Sequence, residues 1–154
     1  MDTLDHRIIA LLQQDGRLSH AELGSRVGLS VSAVNERVRK LHAAGAIRGW
    51  AALADPAALG LGVLAFVGVT IERPEHNAGF LAAVVAWPEV QECHHVTGAW
   101  SYLLKVRTPS LADLDRLLGQ RIKALPGVIG SHTLVVLSSS KETPALPVPG
   151  VTPE

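Results

Sequence analysis

The sequence predicts an α+β protein in two parts: a winged helix-turn-helix domain, then a ferredoxin-like βαββαβ domain. Three observations predict it. Helical periodicity fills residues 1–45, interrupted by two short turns. The second of these turns, Val27-Gly28-Leu29, separates two capped helices, as in a helix-turn-helix. From residue 62 onward, apolar strands alternate with two amphipathic helices.

Leu4, Ile8, Leu11 and Leu12 stand at helical spacing, so residues 4–14 read as the first helix, with Thr3 as its N-cap. Asp15-Gly16-Arg17 is a turn. Ser19 and Glu22 form the S-x-x-E capping box of a second helix. That helix stops at Gly28, which suits the left-handed position after a helix end. Ser30 caps a third helix that runs to about Ala44, before Gly45. On it Val31, Val34, Val38 and Leu41 form one apolar stripe, the expected buried face. The opposite face collects Ser32, Ala33, Glu36, Arg39 and Lys40, with Asn35 and Arg37 on its flanks.

A helix docked in the major groove uses residues of this kind. Small polar side chains near its start reach base edges, and arginines and lysines hold phosphates. Taken alone, the same face also fits a solvated helix with a Glu36–Lys40 pair at i, i+4. The three-helix context, the two caps and the glycine turn favour double-stranded DNA. Ser30, Ser32, Ala33, Glu36 and Arg37 are therefore expected at base edges or adjacent backbone. Arg39 and Lys40 are expected at phosphates, with Arg17, Arg26 and Arg48 as flanking contacts.

Residues 1–50 form the DNA-binding domain in this reading, and 51–61 a hinge. A short strand over Ile47 to Leu53 is expected beside the helices, ended by Asp55-Pro56, with one helical turn in the small residues beyond. Residues 62–138 form the second domain. GVLAFVGVTIE reads as a buried strand, and 77–87 as a helix with Asn77 as N-cap and Phe80, Leu81, Val84 and Val85 inward. VQECHHVT and SYLLKVR alternate as strands. Ser110 and Asp113 open another helix, whose apolar face is Leu111, Leu114, Leu117, Leu118, Ile122 and Leu125. VIGSHTLVVL is the last strand. The two helices cover one sheet face. Apolar residues on both faces of the first and last strands call for a second cover, and a partner sheet in a homodimer supplies it. Residues 139–154 hold four prolines and no periodicity, and read as a mobile tail.

Composition narrows the class. Apolar residues make up 47% and charged residues 18%, enough for packed cores and too apolar for wholesale disorder. Residues 1–50 hold seven Lys/Arg against five Asp/Glu, a mild basic excess compatible with nucleic acid. Cys93 is the single cysteine, so no intramolecular disulfide forms. The longest apolar stretch, at 57–71, falls short of the roughly 20 residues of a membrane span. No secretory pattern opens the chain, and a cytoplasmic protein without membrane contact is expected. There is no nucleophile elbow, phosphate-cradling glycine loop or H-E-x-x-H, so neither catalytic residues nor cofactors are expected. Cys93, His94, His95 and His132 raise a metal-responsive alternative, using Cys93, His95 and His132. Strand alternation puts Cys93 and His95 on one face and His94 on the other, which argues against a local site, so no metal ligands are assigned.

LDHRIIALLQQDGR, ELGSRVGLS, VNERVRKLHAAGAIRGW, VQECHHVTGAWSYLLKV and LPGV, in that order, resemble the Lrp/AsnC (feast/famine) transcription regulators over residues 2 to about 138. The resemblance implies a sequence-specific regulator and not an enzyme. It also implies a C-terminal domain that dimerises, often builds octamers and binds small effectors, usually amino acids, between subunits. It places part of the effector pocket in the loop VTGAWSY, at Gly98, Ala99, Trp100, Ser101 and Tyr102. The family's loop often resembles G-D-x-D-Y. Here both acidic positions are neutral, Ala99 and Ser101. A buried ammonium needs a charged or multiply hydrogen-bonding partner. Three outcomes follow: weaker binding of ordinary amino acids, a different effector, or none. Trp100 offers a flat surface for a cation–π contact, but packing at a subunit interface is the favoured role. Some proteins resembling this family are haem-pathway decarboxylases that bind a tetrapyrrole, for which His94 and His95 could be cited. The intact basic third helix argues against that reading.

Overall fold

Helix α1 (Thr3–Gln14) starts one residue earlier than its apolar spacing suggests, because Asp2 and not Thr3 caps it. The Asp2 carboxylate accepts from the Asp5 N–H, and the Asp5 carboxylate accepts from the Asp2 N–H. Only Asp2 has an acidic acceptor three residues on, so only Asp2 closes a reciprocal box. The computed structural model describes residues 1–151. The chain divides into two units: residues 1–52 together with the segment beginning at Lys141, and Leu53–Ser140.

In the first unit, α2 (His20–Val27) carries the expected Ser19–Glu22 box and ends at Gly28 with φ 73°, where a side chain would be strained. The Ser30 hydroxyl accepts from the Ala33 N–H and starts α3 (Val31–Ala43). Ile8, Leu23, Val27, Val34, Val38 and Leu41 form the core of the three helices. Val31, expected inward, is 54% exposed; it stands at the first helical position, ahead of the Val34–Val38–Leu41 stripe. The strand expected over 47–53 is not formed. A short strand needs a ladder partner, and none is offered among the described residues of this unit. Among the described residues beyond Lys141 there is no regular element, yet the Gln13 side chain brackets Leu146. Its Nε2 donates to the Leu146 carbonyl at 3.0 Å and its Oε1 accepts from the Leu146 N–H at 2.7 Å.

The second unit begins with a single turn at residues 56–60. Strand β1 (Val63–Ile71), a 3₁₀ turn (Pro74–His76), α4 (Asn77–Val85), β2 (Val90–His95) and β3 (Tyr102–Thr108) follow. Helix α5 (Leu111–Arg116) runs into a π-helical turn, Leu117–Ile122, before β4 (Val128–Val135). The antiparallel sheet has the order β2-β3-β1-β4, which is the βαββαβ arrangement expected. Val67 pairs with Leu104 and Ala65 with Val106, so these side chains share one face. Phe80, Val84, Leu114, Leu117 and Ile122 cover that face.

Three local expectations fail here. Asn77 is the first residue of α4 and not its cap, because the Pro74 turn already takes the Asn77 N–H at the Pro74 carbonyl. Val85 and Leu111 are 74% and 61% exposed, each at a helix end that overruns the core. The apolar face of the last helix is not a plain 3.6-residue stripe. The Lys123 N–H donates to the Leu118 carbonyl five residues back, and this wider turn puts both Leu117 and Ile122 in the core.

Candidate nucleic-acid interface and effector loop

Helix α3 exposes Ser32, Glu36, Arg39 and Lys40 opposite its buried valines. Its charges are organised by acids. The Glu36 carboxylate takes the Arg39 fork at both oxygens, Nε to Oε2 at 3.0 Å and Nη2 to Oε1 at 2.8 Å. Lys40 Nζ lies 3.4 Å from Oε1. The Arg39 hydrogen bonds, followed by Lys40, hold the Glu36 carboxyl below its usual range. The carboxylate is thus charged and an acceptor only. All three side chains are well exposed, so phosphates can compete for the two cations.

Arg37 is placed differently from the expectation that it meets DNA. Its guanidinium bridges Asp5 at 2.6 Å and Asp2 at 2.8 Å, tying α3 to the first turn of α1. The Asp5 N–H, then Arg37, lower the Asp2 carboxyl. Ser30 is occupied as the N-cap, and its hydroxyl lies 3.1 Å from that of Ser32. Ala33 is half-buried. The Glu36–Lys40 pair was legible in the i, i+4 spacing, while the closer Arg39–Glu36 pair at i, i+3 was not read, and the Asp2–Arg37 bridge joins residues with no pattern between them.

The loop VTGAWSY is built by backbone ties. The Val96 N–H donates to the Ser101 carbonyl at 3.2 Å, and the Ser101 N–H donates to the Val69 carbonyl at 2.9 Å. The Ser101 hydroxyl oxygen accepts from the Ile71 N–H at 3.0 Å. The neutral oxygen that stands where an acid is common is therefore engaged in holding the loop to β1. Gly98, at φ 107°, turns the chain. Trp100 lies flat over Gly68, on the sheet face away from the helices, and stacks on His132 with ring centroids 5.6 Å apart. Tyr102 points the other way. It is 4% exposed and sits between Phe80 and His95, at 5.0 and 5.1 Å. The five loop residues thus fall on two sides of the sheet. Gly68 was missed by sequence reasoning, although a glycine between Val67 and Val69 inside a strand signals close approach.

The metal reading is not supported. Cys93 pairs with Leu104 and His95 with Tyr102, on the helix-facing side, whereas His132 pairs with Gly68 and stacks on Trp100 on the other. The three cannot converge on one ion, and burial pushes the Cys93 thiol up, away from the thiolate. Among the described residues no group of three His, Cys, Asp or Glu side chains is placed to hold a metal. None of the described helices is long and apolar enough to cross a membrane.

A capped helix-turn-helix with an exposed, charged third helix, followed by a βαββαβ unit, defines a two-domain DNA-binding regulator. Comparison with known proteins narrows the class. Residues 1–42 match the family model of the AsnC-type helix-turn-helix domain, and residues 64–146 that of the Lrp/AsnC ligand binding domain. The leucine-responsive regulatory protein of Salmonella typhimurium is 43% identical over 145 residues, which cover 93% of this chain and 88% of that protein. Among solved structures, a Neisseria meningitidis transcriptional regulator in complex with L-Met superposes with a TM-score of 0.93 at 34% identity, covering 97% of each chain. Escherichia coli AsnC superposes with a TM-score of 0.86 at 30% identity, covering 92% of this chain and 95% of that one. The chain belongs to the Lrp/AsnC family of DNA-binding transcriptional regulators.

Proposed function

We propose that α3 is the major-groove helix, and that the second unit binds a small effector and assembles the regulator as a homodimer. The exposed Ser32–Glu36–Arg39–Lys40 face carries this reading. Ser30, Ser32, Ala33 and Glu36 stand toward base edges or adjacent backbone, and Arg39 and Lys40 toward phosphates. Arg37 contributes through its Asp2–Asp5 bridge, by fixing α3 against α1. Arg17, Arg26 and Arg48 are flanking contacts. Residues 1–50 and 62–138 are the working domains and 51–61 the hinge. The protein works in the cytoplasm on DNA, without a catalytic step.

Replacing Arg39 with Ala is expected to weaken binding to all sequences and to make the salt slope shallower by about one per subunit. Mobility shifts at several salt concentrations read this directly. Unchanged affinity and slope would remove α3 from the phosphate contacts.

The homodimer is supported by the sheet face away from α4 and α5. It presents Phe66, Leu103 and the 50%-exposed Leu134, an apolar surface suited to a second copy. The effector is an amino acid or another small metabolite held at a subunit interface. A thermal titration with the twenty amino acids tests this, since a ligand that binds only the folded state raises the midpoint by mass action. With Ala99 neutral and the Ser101 oxygen engaged, ordinary amino acids are expected to act weakly, at millimolar concentration. A micromolar response to one of them would show that acids from elsewhere complete the pocket.

A further inference from the structure

We propose that Glu36 reads a cytosine, accepting a hydrogen bond from its N4 amino group at one position of each half-site. This rests on the reading of α3 as the major-groove helix. Ser32 and Glu36, one turn apart, lie nearest the centre of the exposed face, directly opposite Val34, Val38 and Leu41. The centre of that face is what approaches base edges, while its borders meet the backbone.

The local geometry prepares the carboxylate for one further donor. A carboxylate offers about four acceptor positions. The Arg39 fork takes one on each oxygen, Nη2 at Oε1 and Nε at Oε2, and Lys40 Nζ pairs with Oε1 at 3.4 Å. Oε2 keeps one, and the Arg39 fork fixes its direction. In the major groove only cytosine N4 and adenine N6 are donors. Adenine places the N7 acceptor beside N6, which repels the second carboxylate oxygen, whereas cytosine places only a C–H there. The ionised carboxylate therefore favours cytosine. It also works against sequence-independent binding. On DNA without a matched cytosine, Glu36 stays a negative charge among phosphates, and it retains the two cations that phosphates would otherwise take.

The test compares the full-length wild-type protein with Glu36→Gln in a selection from random DNA, with Arg39→Ala as a third arm. The wild-type motif is expected to contain one cytosine per half-site that Glu36→Gln no longer selects. Adenine is expected to replace it, because a carboxamide offers the donor–acceptor pair that matches N7 and N6. Affinity for unrelated DNA is expected to rise several-fold in Glu36→Gln, and the salt slope to steepen by up to about one per subunit. A motif identical in wild type and Glu36→Gln, together with the expected loss in Arg39→Ala, overturns the cytosine reading and leaves α3 in the groove. If Arg39→Ala and Glu36→Gln both match wild type in motif and affinity, the placement of α3 itself is wrong.

Discussion

A Gly24→Val protein is expected to lose DNA binding while its second unit stays folded. Gly24 lies in α2, where it packs against the turn into α3. A Cβ at this position would stand 2.5 Å from the Leu29 carbonyl oxygen and 3.7 Å from a Val34 methyl. The first contact is with backbone, which cannot rotate away as a side chain can. The same turn is fixed by the Gly28 and Leu29 N–H groups, both donating to the Gly24 carbonyl. Relief therefore means moving α3 relative to α2. Overpacking of this kind costs about 1–3 kcal/mol, and a backbone clash belongs at the upper end. Valine's better helix propensity than glycine returns only a few tenths of a kcal/mol. A unit of this size is stable by roughly 3–8 kcal/mol, so the loss is a large share of the whole. Thermal unfolding followed by NMR should show the helical unit melting early and the sheet unit unchanged, with DNA affinity lost in parallel. Wild-type affinity in the variant would show that the turn tolerates the displacement, and that the close packing at Gly24 is not what sets α3.

A Gly68→Ala protein is expected to release Trp100 from the sheet. The added methyl would stand 2.2–2.6 Å from three carbons of the indole ring. A β-strand accepts alanine without backbone strain, so the indole is what moves. It then loses its stack on His132 and its seat on β1. The expected cost is about 1–3 kcal/mol, with a red shift in the part of the emission that a Trp100→Phe control assigns to Trp100. Since Trp100 lies on the face proposed to meet a second copy, sedimentation should show weaker self-association. The variant is also expected to lose any amino-acid response of the loop. An unchanged spectrum and midpoint would mean that the indole is not seated on Gly68 in solution.

The sequence alone settled which helices and sheet strands form, the strand expected over 47–53 excepted. Capping boxes, glycine turns and apolar spacing act over three or four residues. The Ser19–Glu22 box, the Ser30 cap and the alternation of β3 are therefore written locally, and each appears in the structure. The charged face of α3 was legible for the same reason. Apart from that strand and the π-helical turn at Leu117–Ile122, the misses lie at element ends. Thr3 lost the cap to Asp2, Asn77 to a preceding turn, and Val31, Val85 and Leu111 overhang the core. A periodic pattern names the buried stripe but not where the neighbouring element stops covering it.

What only the tertiary structure decided concerns partners distant in the chain. Arg37 reads as a DNA contact on its helix, and it becomes a bridge because folding brings Asp2 and Asp5 within 2.6–2.8 Å. Ser101 reads as a free hydroxyl in a site loop, yet the registry of β1 against β3 spends its oxygen on the Ile71 N–H. Trp100 and Tyr102 read as one cluster. Trp100 precedes β3, and the loop folds it over Gly68, whereas Tyr102 opens β3 and enters the core beside Phe80. Composition and spacing decide what a short segment can form. Which charges are free and which surfaces stay open depends on contacts across tens of residues, and those exist only once the sheet registers and helix packing are set.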